Sequence, residues 1–279
     1  LMIRRPPRST HCISSAASDV YKRQGMRNSI EEIKKLLPIP NLEKARKVLC
    51  IQPHPDDTDI GAGATIAKLC KKGVEVYYLS STSDSIGTSD KALVGEKITK
   101  IRKEEQQRAA DVLGVKEVIW LDYPDAGNYS MYDLRNDLVK WIRKIKPDFI
   151  MTVDPWLPYE AHRDHVKTGL AASEAVLLYG FPGVVPEIEI EEGFEIKGIA
   201  FFHTAYPNTV IDVDDTWKLK FEAIKQHESQ IDEKTLDLFK RYFDLKAREY
   251  AKDKLFTYGE VFKVLSPVFL HCFVDAWRM

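Results

Sequence analysis

Short apolar segments alternate with longer amphipathic segments along most of the chain. An apolar run at residues 47–52 is followed by helical spacing at 61–72, and the same order returns at 74–79 and 93–113. Apolar runs of roughly four to eight residues that alternate with amphipathic helices are typical of βαβ units. The pattern therefore predicts an α/β fold with a parallel sheet.

The later segments continue this pattern and then become less regular. Strands are predicted at 117–121 and 149–153, with helices at 131–145 and from about His162 onward. Further apolar segments lie at 198–205, 209–213 and 268–274, and further helices are predicted at 217–227 and 234–250. No linker or internal repeat separates these parts, so residues 26–279 are predicted to form one domain.

The first 25 residues differ from the rest of the chain. They have no hydrophobic period, and they resemble translated sequencing-adapter DNA, so we expect a non-native, disordered segment and a natural start at Met26. They also lack the apolar run of a secretory signal. Beyond them, Cys50, Cys70 and Cys272 are an odd and widely spaced set, which favours a reducing cytoplasm.

Composition and charge exclude several classes of partner. The chain is 44% hydrophobic and 30% charged, which allows a sizeable core. Its formal net charge is −1, and removal of the basic first 25 residues makes it more negative, so no nucleic-acid partner is expected. No apolar run approaches the roughly 18 residues of a membrane-spanning helix, so no membrane partner is expected either.

Two clusters of imidazole and carboxylate groups follow predicted strands. His54, Asp56 and Asp57 come directly after the first strand, and His162-Arg163-Asp164-His165 follows the fourth. The carboxyl ends of parallel strands meet at one edge, so the two loops can converge. A catalytic Zn²⁺ takes three nitrogen or carboxylate ligands and keeps one position open for water. His54, Asp57 and His165 would supply these ligands, and Asp56 would remain as a general base.

Two other classes fit part of the sequence. His54 and Asp56 with a distant histidine also match the two-His-one-carboxylate site of iron(II) oxygenases, although those enzymes usually have an all-β barrel. Gly61-x-Gly63 at the start of a helix could indicate a non-catalytic nucleotide-binding module, although the third glycine of that motif is absent. Oxygen dependence would identify the first class, and nucleotide binding without acetate release would identify the second.

Four motifs in order resemble the PIG-L/LmbE-like zinc de-N-acetylases. They are Pro53 to Asp57, Arg102-x-x-Glu105-x-x-x-Ala109-x-x-x-Leu113-Gly114, His162-x-Asp164-His165 and Lys220-x-x-Ala223-x-x-x-His227-x-Ser229-Gln230. The loops at 86–90 and 154–160 and the ending 258–271 look closest to the archaeal diacetylchitobiose deacetylase branch. The resemblance implies a Rossmann-like three-layer sandwich with a mostly parallel sheet, and removal of acetyl groups from N-acetylglucosamine-type sugars in chitin degradation.

The resemblance also implies a role for each matching residue. Zn²⁺ would be bound by His54, Asp57 and His165. Asp56 would be the general base, protonated His162 would stabilise the oxyanion, and Asp164 would accept a ring N–H of a ligating histidine. Sugar hydroxyls would be held by Arg102 and Asp125, and His271 would reach the pocket of a neighbouring subunit in a homo-oligomer, a trimer or hexamer. His203 and His227 are assigned instead to the hydrogen-bonded core.

Overall fold

The computed structural model describes residues 29–279, and the expectations for residues 1–25 and for Met26 lie outside this range. The strands are β1 Lys47–Gln52, β2 Glu75–Thr82, β3 Glu117–Tyr123, β4 Phe149–Val153, β5 Gly198–Phe202, β6 Thr209–Asp212 and β7 Gly259–Leu265. The helices are α1 over residues 29–36, α2 Asp57–Lys71, α3 Glu96–Leu113, α4 Met131–Ile145, α5 Arg163–Leu178, α6 Trp217–Ile224 and α7 Glu233–Tyr250. Short 3-10 helices lie at Leu42–Lys44, Pro267–Leu270 and Ala276–Arg278.

The strands form a seven-stranded sheet in the order β3-β2-β1-β4-β5-β7-β6. The first five in this order are parallel, β7 is antiparallel to β5, and β6 is antiparallel to β7. Strand order reverses between β1 and β4, which creates a crevice at their carboxyl ends. The two His/Asp clusters predicted from the sequence, residues 54–57 and 162–165, follow these two strands, so the topology brings them to the same crevice.

Hydrophobic cores lie on both faces of the sheet. Along β1, Val48 and Cys50 point into one core, and Leu49 and Ile51 point into the other. Helices α2, α3, α6 and α7 contribute to the first core, and α4 and α5 contribute to the second. A strand buried on both faces reads as a continuous apolar run, as the sequence of β1 does. The predicted three-layer α/β sandwich with a mostly parallel sheet is confirmed.

Most predicted elements are present, but helix α1 was not predicted, α6 ends at Ile224 instead of residue 227, and α2 and β7 also differ from the prediction. The predicted helix 131–145 and strand 149–153 match α4 and β4. Helix α2 begins at Asp57, four residues before the predicted start at Gly61. Strand β7 was not predicted, because its Glu260 and Lys263 interrupt the apolar pattern although both are buried. Within residues 29–279, no helix combines the length and apolar composition that a bilayer crossing requires.

Candidate metal centre

The loop between β1 and α2 presents adjacent carboxylates in different directions. Pro53 and Pro55 prevent helix directly after the strand, and Asp56 then takes a left-handed conformation with φ 93° as the N-cap of α2. Asp57 is the first residue of the helix, where a negative charge is favourable. Its Oδ2 accepts a hydrogen bond from the His54 backbone N–H at 2.9 Å. The two carboxylates have different partners, since Asp56 Oδ2 accepts a hydrogen bond from Arg102 Nη2 at 2.8 Å.

The two predicted clusters meet in the crevice. His54, His162 and His165 each offer a ring nitrogen, and these atoms lie within 4.8 Å of one another. Asp57 lies between two of the rings, with Oδ2 3.4 Å from His54 Nδ1 and Oδ1 3.4 Å from His165 Nε2. His54, Asp125, His162 and Asp164 also offer ligand atoms within 4.8 Å of one another, so the chain has a His/Asp group that can hold a metal ion.

Two buried aspartates lie on the far side of the His54 ring. Its Nε2 is 3.4 Å from both Asp125 Oδ1 and Asp164 Oδ2, and it is buried without a hydrogen-bond partner. Asp164 also accepts hydrogen bonds from the Ala126 N–H at 2.7 Å and the Tyr129 hydroxyl at 2.9 Å, which fix its carboxylate. Asp125 accepts one from the Ile86 N–H at 3.1 Å.

Charges within the cluster shift pKa values in opposite directions. Burial lowers the pKa of His54, but the neighbouring Asp125, Asp164 and Asp57 outweigh burial and hold it well above its usual range. For Asp57, burial raises the pKa, and His165 and His54 reverse the effect and hold it well below the usual range. Burial raises the pKa of Asp56 to about 6, opposed by the charge of Arg102. Asp57 is thus held as a carboxylate, whereas Asp56 can exchange a proton near neutral pH.

His162 is the most exposed of the three clustered histidines, at the N-cap of α5. Its ring lies 4.6 Å from that of His54 and 5.2 Å from that of His165, measured between centroids. Burial and the two neighbouring histidines lower its pKa. The ring is therefore exposed to solvent beside the rings of His54 and His165.

Arg102 contacts the Asp56 carboxylate from the interior of the protein, and the Arg102 side chain is only 1% exposed. All five of its N–H groups point at protein acceptors. Nε donates to Asp84 Oδ2 at 2.5 Å, Nη1 faces Glu105 Oε2 at 2.9 Å and His227 Nδ1 at 3.2 Å, and Nη2 donates to Asp56 Oδ2 at 2.8 Å and to the Pro55 carbonyl at 2.5 Å. A sugar hydroxyl could reach this guanidinium only by displacing a partner, and the predicted sugar contact stays a prediction.

Sequence reasoning did not select three charged residues of the site. Asp84 follows β2, and Glu160 follows β4, with Oε2 3.2 Å from His165 Nδ1. Their position after parallel strands, which selected His54 and His162, could also have selected them. Glu105 was noted only within a motif; it accepts hydrogen bonds from Arg102 and from the Ser229 N–H.

The histidines assigned to the core differ from each other. His227 is fully buried, with Nε2 2.8 Å from Asp59 Oδ2, which confirms its assignment as a hydrogen-bonded core residue. His203 follows β5 with φ 53°, and its ring packs on Phe202. Burial lowers the pKa of His203 to about 4. His271 lies on the surface after Pro267–Leu270, with Nε2 3.3 Å from Cys272 Sγ, and its predicted contact with another subunit stays a prediction.

The glycines of the possible nucleotide-binding motif lie inside α2 and serve close packing. A Cβ atom on Gly61 would lie 2.4 Å from Phe202 Cδ2, and one on Gly63 would lie 3.4 Å from Lys220 Cγ. Neither glycine forms a loop ahead of a helix N-terminus, where phosphates bind. The α/β sandwich likewise differs from the barrel expected of the oxygenase alternative.

Known proteins are similar to this chain in sequence and in fold. The family described as PIG-L, GlcNAc-PI de-N-acetylase, matches residues 49–176. The chain is 38% identical over 229 residues to the diacetylchitobiose deacetylase of Thermococcus kodakarensis, covering 81% of this chain and 85% of that protein. It is 27% identical over 211 residues to a probable N-acetyl-alpha-D-glucosaminyl L-malate deacetylase 2 of Bacillus anthracis, covering 73% and 89%.

The fold also matches a solved structure over most of its length. The N,N'-diacetylchitobiose deacetylase from Pyrococcus horikoshii aligns with a TM-score of 0.80 and 36% identity, covering 89% of this chain and 97% of that chain. Sequence similarity of this extent, together with the His/Asp group in the crevice, indicates an amide-cleaving hydrolase. The chain belongs to the PIG-L family of GlcNAc de-N-acetylases.

Proposed function

We propose that this enzyme removes the acetyl group from an N-acetylglucosamine unit in a zinc-dependent hydrolysis, and that its substrate is di-N-acetylchitobiose, as in chitin degradation. The observation that carries the proposal is that Asp57 lies 3.4 Å from a ring nitrogen of His54 and 3.4 Å from a ring nitrogen of His165, with Asp56 as its neighbour in the chain. The substrate is proposed from the Thermococcus relative, which is a diacetylchitobiose deacetylase.

The donor set fits zinc. Two imidazole nitrogens and one carboxylate oxygen, from His54, His165 and Asp57, are the ligand types of catalytic Zn²⁺ sites. The depressed pKa of Asp57 keeps it ionised, as a ligand requires. When bound, the ion would lower the pKa of a water molecule and polarise the acetyl carbonyl. Asp164, fixed by Ala126 and Tyr129, would orient the His54 ring by accepting its N–H.

Asp56 would act as the general base. Arg102 holds its Oδ2, so Oδ1 is the oxygen available to take a proton from the attacking water. A carboxyl group with a pKa of about 6 is well suited to give the proton back at the next step. Asp56 Oδ2 contacts Arg102, whereas the Asp57 oxygens lie 3.4 Å from ring nitrogens of His54 and His165, which leaves Asp57 available for the metal.

His162 would donate a hydrogen bond to the acetyl oxygen as negative charge develops there. Its exposed position beside His54 supports this role. Either Asp56 or His162 would then protonate the departing amine, giving acetate and a free glucosamine unit. Asp125 would bind a sugar hydroxyl inside the crevice, beside the His54 ring.

A second substrate class has specific support. The Bacillus anthracis relative is a probable deacetylase of N-acetyl-alpha-D-glucosaminyl L-malate, a conjugate and not a chitin fragment. The identity is lower, 27% against 38%, so di-N-acetylchitobiose is favoured.

The test is acetate release from di-N-acetylchitobiose, from monomeric N-acetylglucosamine and from N-acetylglucosamine conjugates, with bound metal measured in parallel. Release from di-N-acetylchitobiose that is lost on chelation and restored by zinc is the expected result. Release only from a conjugate would retain the chemistry and replace the substrate. The absence of release from any of them, with no bound metal, would overturn the proposal.

We further propose that residues 26–279 form one domain, that the enzyme acts in the cytoplasm and that it forms a homo-oligomer. Two cores on opposite faces of one sheet support a single domain. Cys50, Cys70 and Cys272 are free thiols, which supports a reducing compartment. Near His271, the exposed apolar side chains of Phe273, Val274 and Trp277 support a contact between subunits.

A further inference from the structure

His227 is completely buried, yet both of its ring nitrogens face polar partners. Nδ1 lies 3.2 Å from Arg102 Nη1, and Nε2 lies 2.8 Å from Asp59 Oδ2. The guanidinium of Arg102 has only donors, and the carboxylate of Asp59 accepts. These partners therefore specify the tautomer: Nδ1 accepts from Arg102, and Nε2–H donates to Asp59.

This histidine closes a ring of hydrogen bonds around the proposed base. In one direction, the Asp56 backbone N–H donates to Gln106 Oε1 at 2.9 Å, and Gln106 Nε2 donates to Asp59 Oδ2 at 2.9 Å. In the other direction, Arg102 links Asp56 Oδ2 to His227, which returns to Asp59. The ring thus holds both the backbone and the side chain of Asp56, the residue with φ 93°.

We propose that His227 is a positioning residue for the deacetylation, which aims the Asp56 carboxylate by accepting a hydrogen bond from Arg102. The proposal rests on the proposed role of Asp56 as general base. Arg102 has five donors and five protein acceptors, so each acceptor restricts the rotation of the guanidinium. Loss of the His227 acceptor leaves one buried N–H without a partner, and the guanidinium turns to find another. The Asp56 oxygen that it holds turns with it.

A purely structural role for His227 would depend on the other nitrogen. Asp59 lies on α2, accepts a hydrogen bond from the Tyr78 hydroxyl at 2.9 Å and is fully buried. If His227 served only to anchor Asp59 and so hold α2 in place, the Nε2–H donor would matter and the Nδ1 acceptor would not. The two roles can therefore be separated by replacing one nitrogen at a time.

Asparagine and glutamine make this separation. In His227→Asn the side-chain oxygen can take the place of Nδ1 and accept from Arg102, whereas the donor to Asp59 is lost. In His227→Gln the amide can reach the place of Nε2 and donate to Asp59, whereas the acceptor for Arg102 is lost. His227→Asn is one methylene smaller than His227→Gln, so the variant expected to be more active is also the one that leaves the larger gap at this buried position, and better packing cannot explain the expected order.

The experiment measures kcat and KM for acetate release, with bound metal and melting temperature, using the substrate on which the unmodified enzyme is active. We expect kcat of His227→Gln to fall by about 10- to 100-fold, the scale of a misplaced catalytic group. We expect KM to change by less than about threefold, because the proposed role of Asp56 is in the chemical step and not in holding the substrate, and metal content to stay the same. His227→Asn should retain a kcat at least about tenfold above that of His227→Gln. Equal values of kcat in the two variants, or the reverse order, would overturn the proposal.

Nuclear magnetic resonance of the unmodified protein provides a readout that does not depend on activity or on folding of a variant. With ¹⁵N-labelled histidine, the ring of His227 should carry its proton on Nε2 and none on Nδ1. A proton on Nδ1 would remove the acceptor and overturn the proposal. Because acetate release by the unmodified enzyme tests the proposed function separately, failure of the function and failure of the His227 role give different results.

Discussion

Asp56 and Asp57 are neighbours in sequence, and their surroundings give them opposite chemistry. His165 and His54 hold the pKa of Asp57 well below its usual range, which suits a ligand. Burial raises the pKa of Asp56 to about 6, and Arg102 fixes one of its oxygens. When two nearby carboxyl groups have environments that move their pKa values apart, the group with the raised pKa is the one suited to act as a base.

Substitution Asp56→Asn tests this division. The amide keeps the shape of the side chain but cannot take a proton, so we expect kcat to fall by at least about 10²-fold. Bound metal should stay at the level of the unmodified enzyme, because His54, Asp57 and His165 are intact. Acetate release and metal content are measured together, with the exposed Asp237→Asn as the control for loss of one carboxylate. Turnover that is unchanged in Asp56→Asn would show that another group is the base.

His203 couples stability to pH. Burial lowers its pKa to about 4, below the value of about 6.5 for an unfolded chain. Between these values the unfolded state binds more protons, so the stability contributed by neutral His203 is complete above about pH 6.5 and is lost as pH falls toward 4. We expect the free energy of unfolding of the unmodified protein, relative to His203→Gln, to fall by about 1–3 kcal/mol between pH 7 and pH 4.5.

Urea unfolding of both proteins at each pH measures this difference, and titration of the groups that do not interact with His203 is common to both and cancels. Asp57, His165 and Glu160 act electrostatically on His203, so the difference also includes their response to its replacement. A difference that is constant with pH would show that His203 is not held in its neutral form.

At the scale of elements, α2 connects the site with the sheet. Its first turn carries Asp57 and Asp59, and its middle packs against β5 and α6 through Gly61 and Gly63. The side chain of Glu260, on β7, accepts hydrogen bonds from the Ala64 and Thr65 N–H groups of the same helix. The position of Asp57 in the candidate metal centre therefore depends on contacts made along the whole helix.

Substitution Gly61→Ala should displace this helix. The added Cβ would lie 2.4 Å from Phe202 Cδ2 and 3.0 Å from His203 Nε2, so backbone or rings must move. We expect a loss of about 1–3 kcal/mol in the free energy of unfolding, as for an overpacked core. Gly180→Ala, whose Cβ would meet no atom within 4 Å, is the control and should change it by less than about 0.5 kcal/mol. Chemical denaturation measures the free energy of unfolding of the two variants. Equal values would show that α2 accommodates the methyl group.

The elements also show what a single sequence can reveal. The strands β1 and β4 were predictable because burial on both faces makes them continuous apolar runs. Strand β7 was not predictable, because it contains the charged Glu260. In the structure Glu260 is buried in an ion pair with Lys220 at 2.6 Å, and a sequence does not show which charges will be paired. The start of α2 at Asp57 was not predictable either, because the left-handed residue before it is Asp56 and not the glycine that usually marks such a conformation.

At the scale of the whole molecule, the site draws its residues from several strand ends. His54 follows β1, Asp84 follows β2, Asp125 follows β3, and His162 and His165 follow β4. This convergence could be predicted, because parallel strands place their carboxyl ends at one edge. The hydrogen bond from Arg102 to His227, which lies 125 positions later in the chain, could not be predicted. In the sequence Arg102 is assigned to a sugar contact and His227 to the core, and no pattern places the two side chains together before the fold buries both.

Assembly is the last property at this scale, and a surface patch near the C-terminus makes it testable. Val274 is 84% exposed and lines one apolar cavity with Trp156, Tyr206, Phe273 and Trp277. Because the same segment carries His271, burial of this patch against a second copy would bring His271 close to that copy. We expect the protein to sediment as a homo-oligomer and Val274→Asp to shift it toward monomer, since a buried unpaired carboxylate is costly. The matched control is Leu255→Asp, which adds the same charge at a fully exposed apolar residue outside the patch and should leave the assembly unchanged. A monomer in the unmodified protein, or equal assembly in both variants, would exclude this patch as the subunit contact.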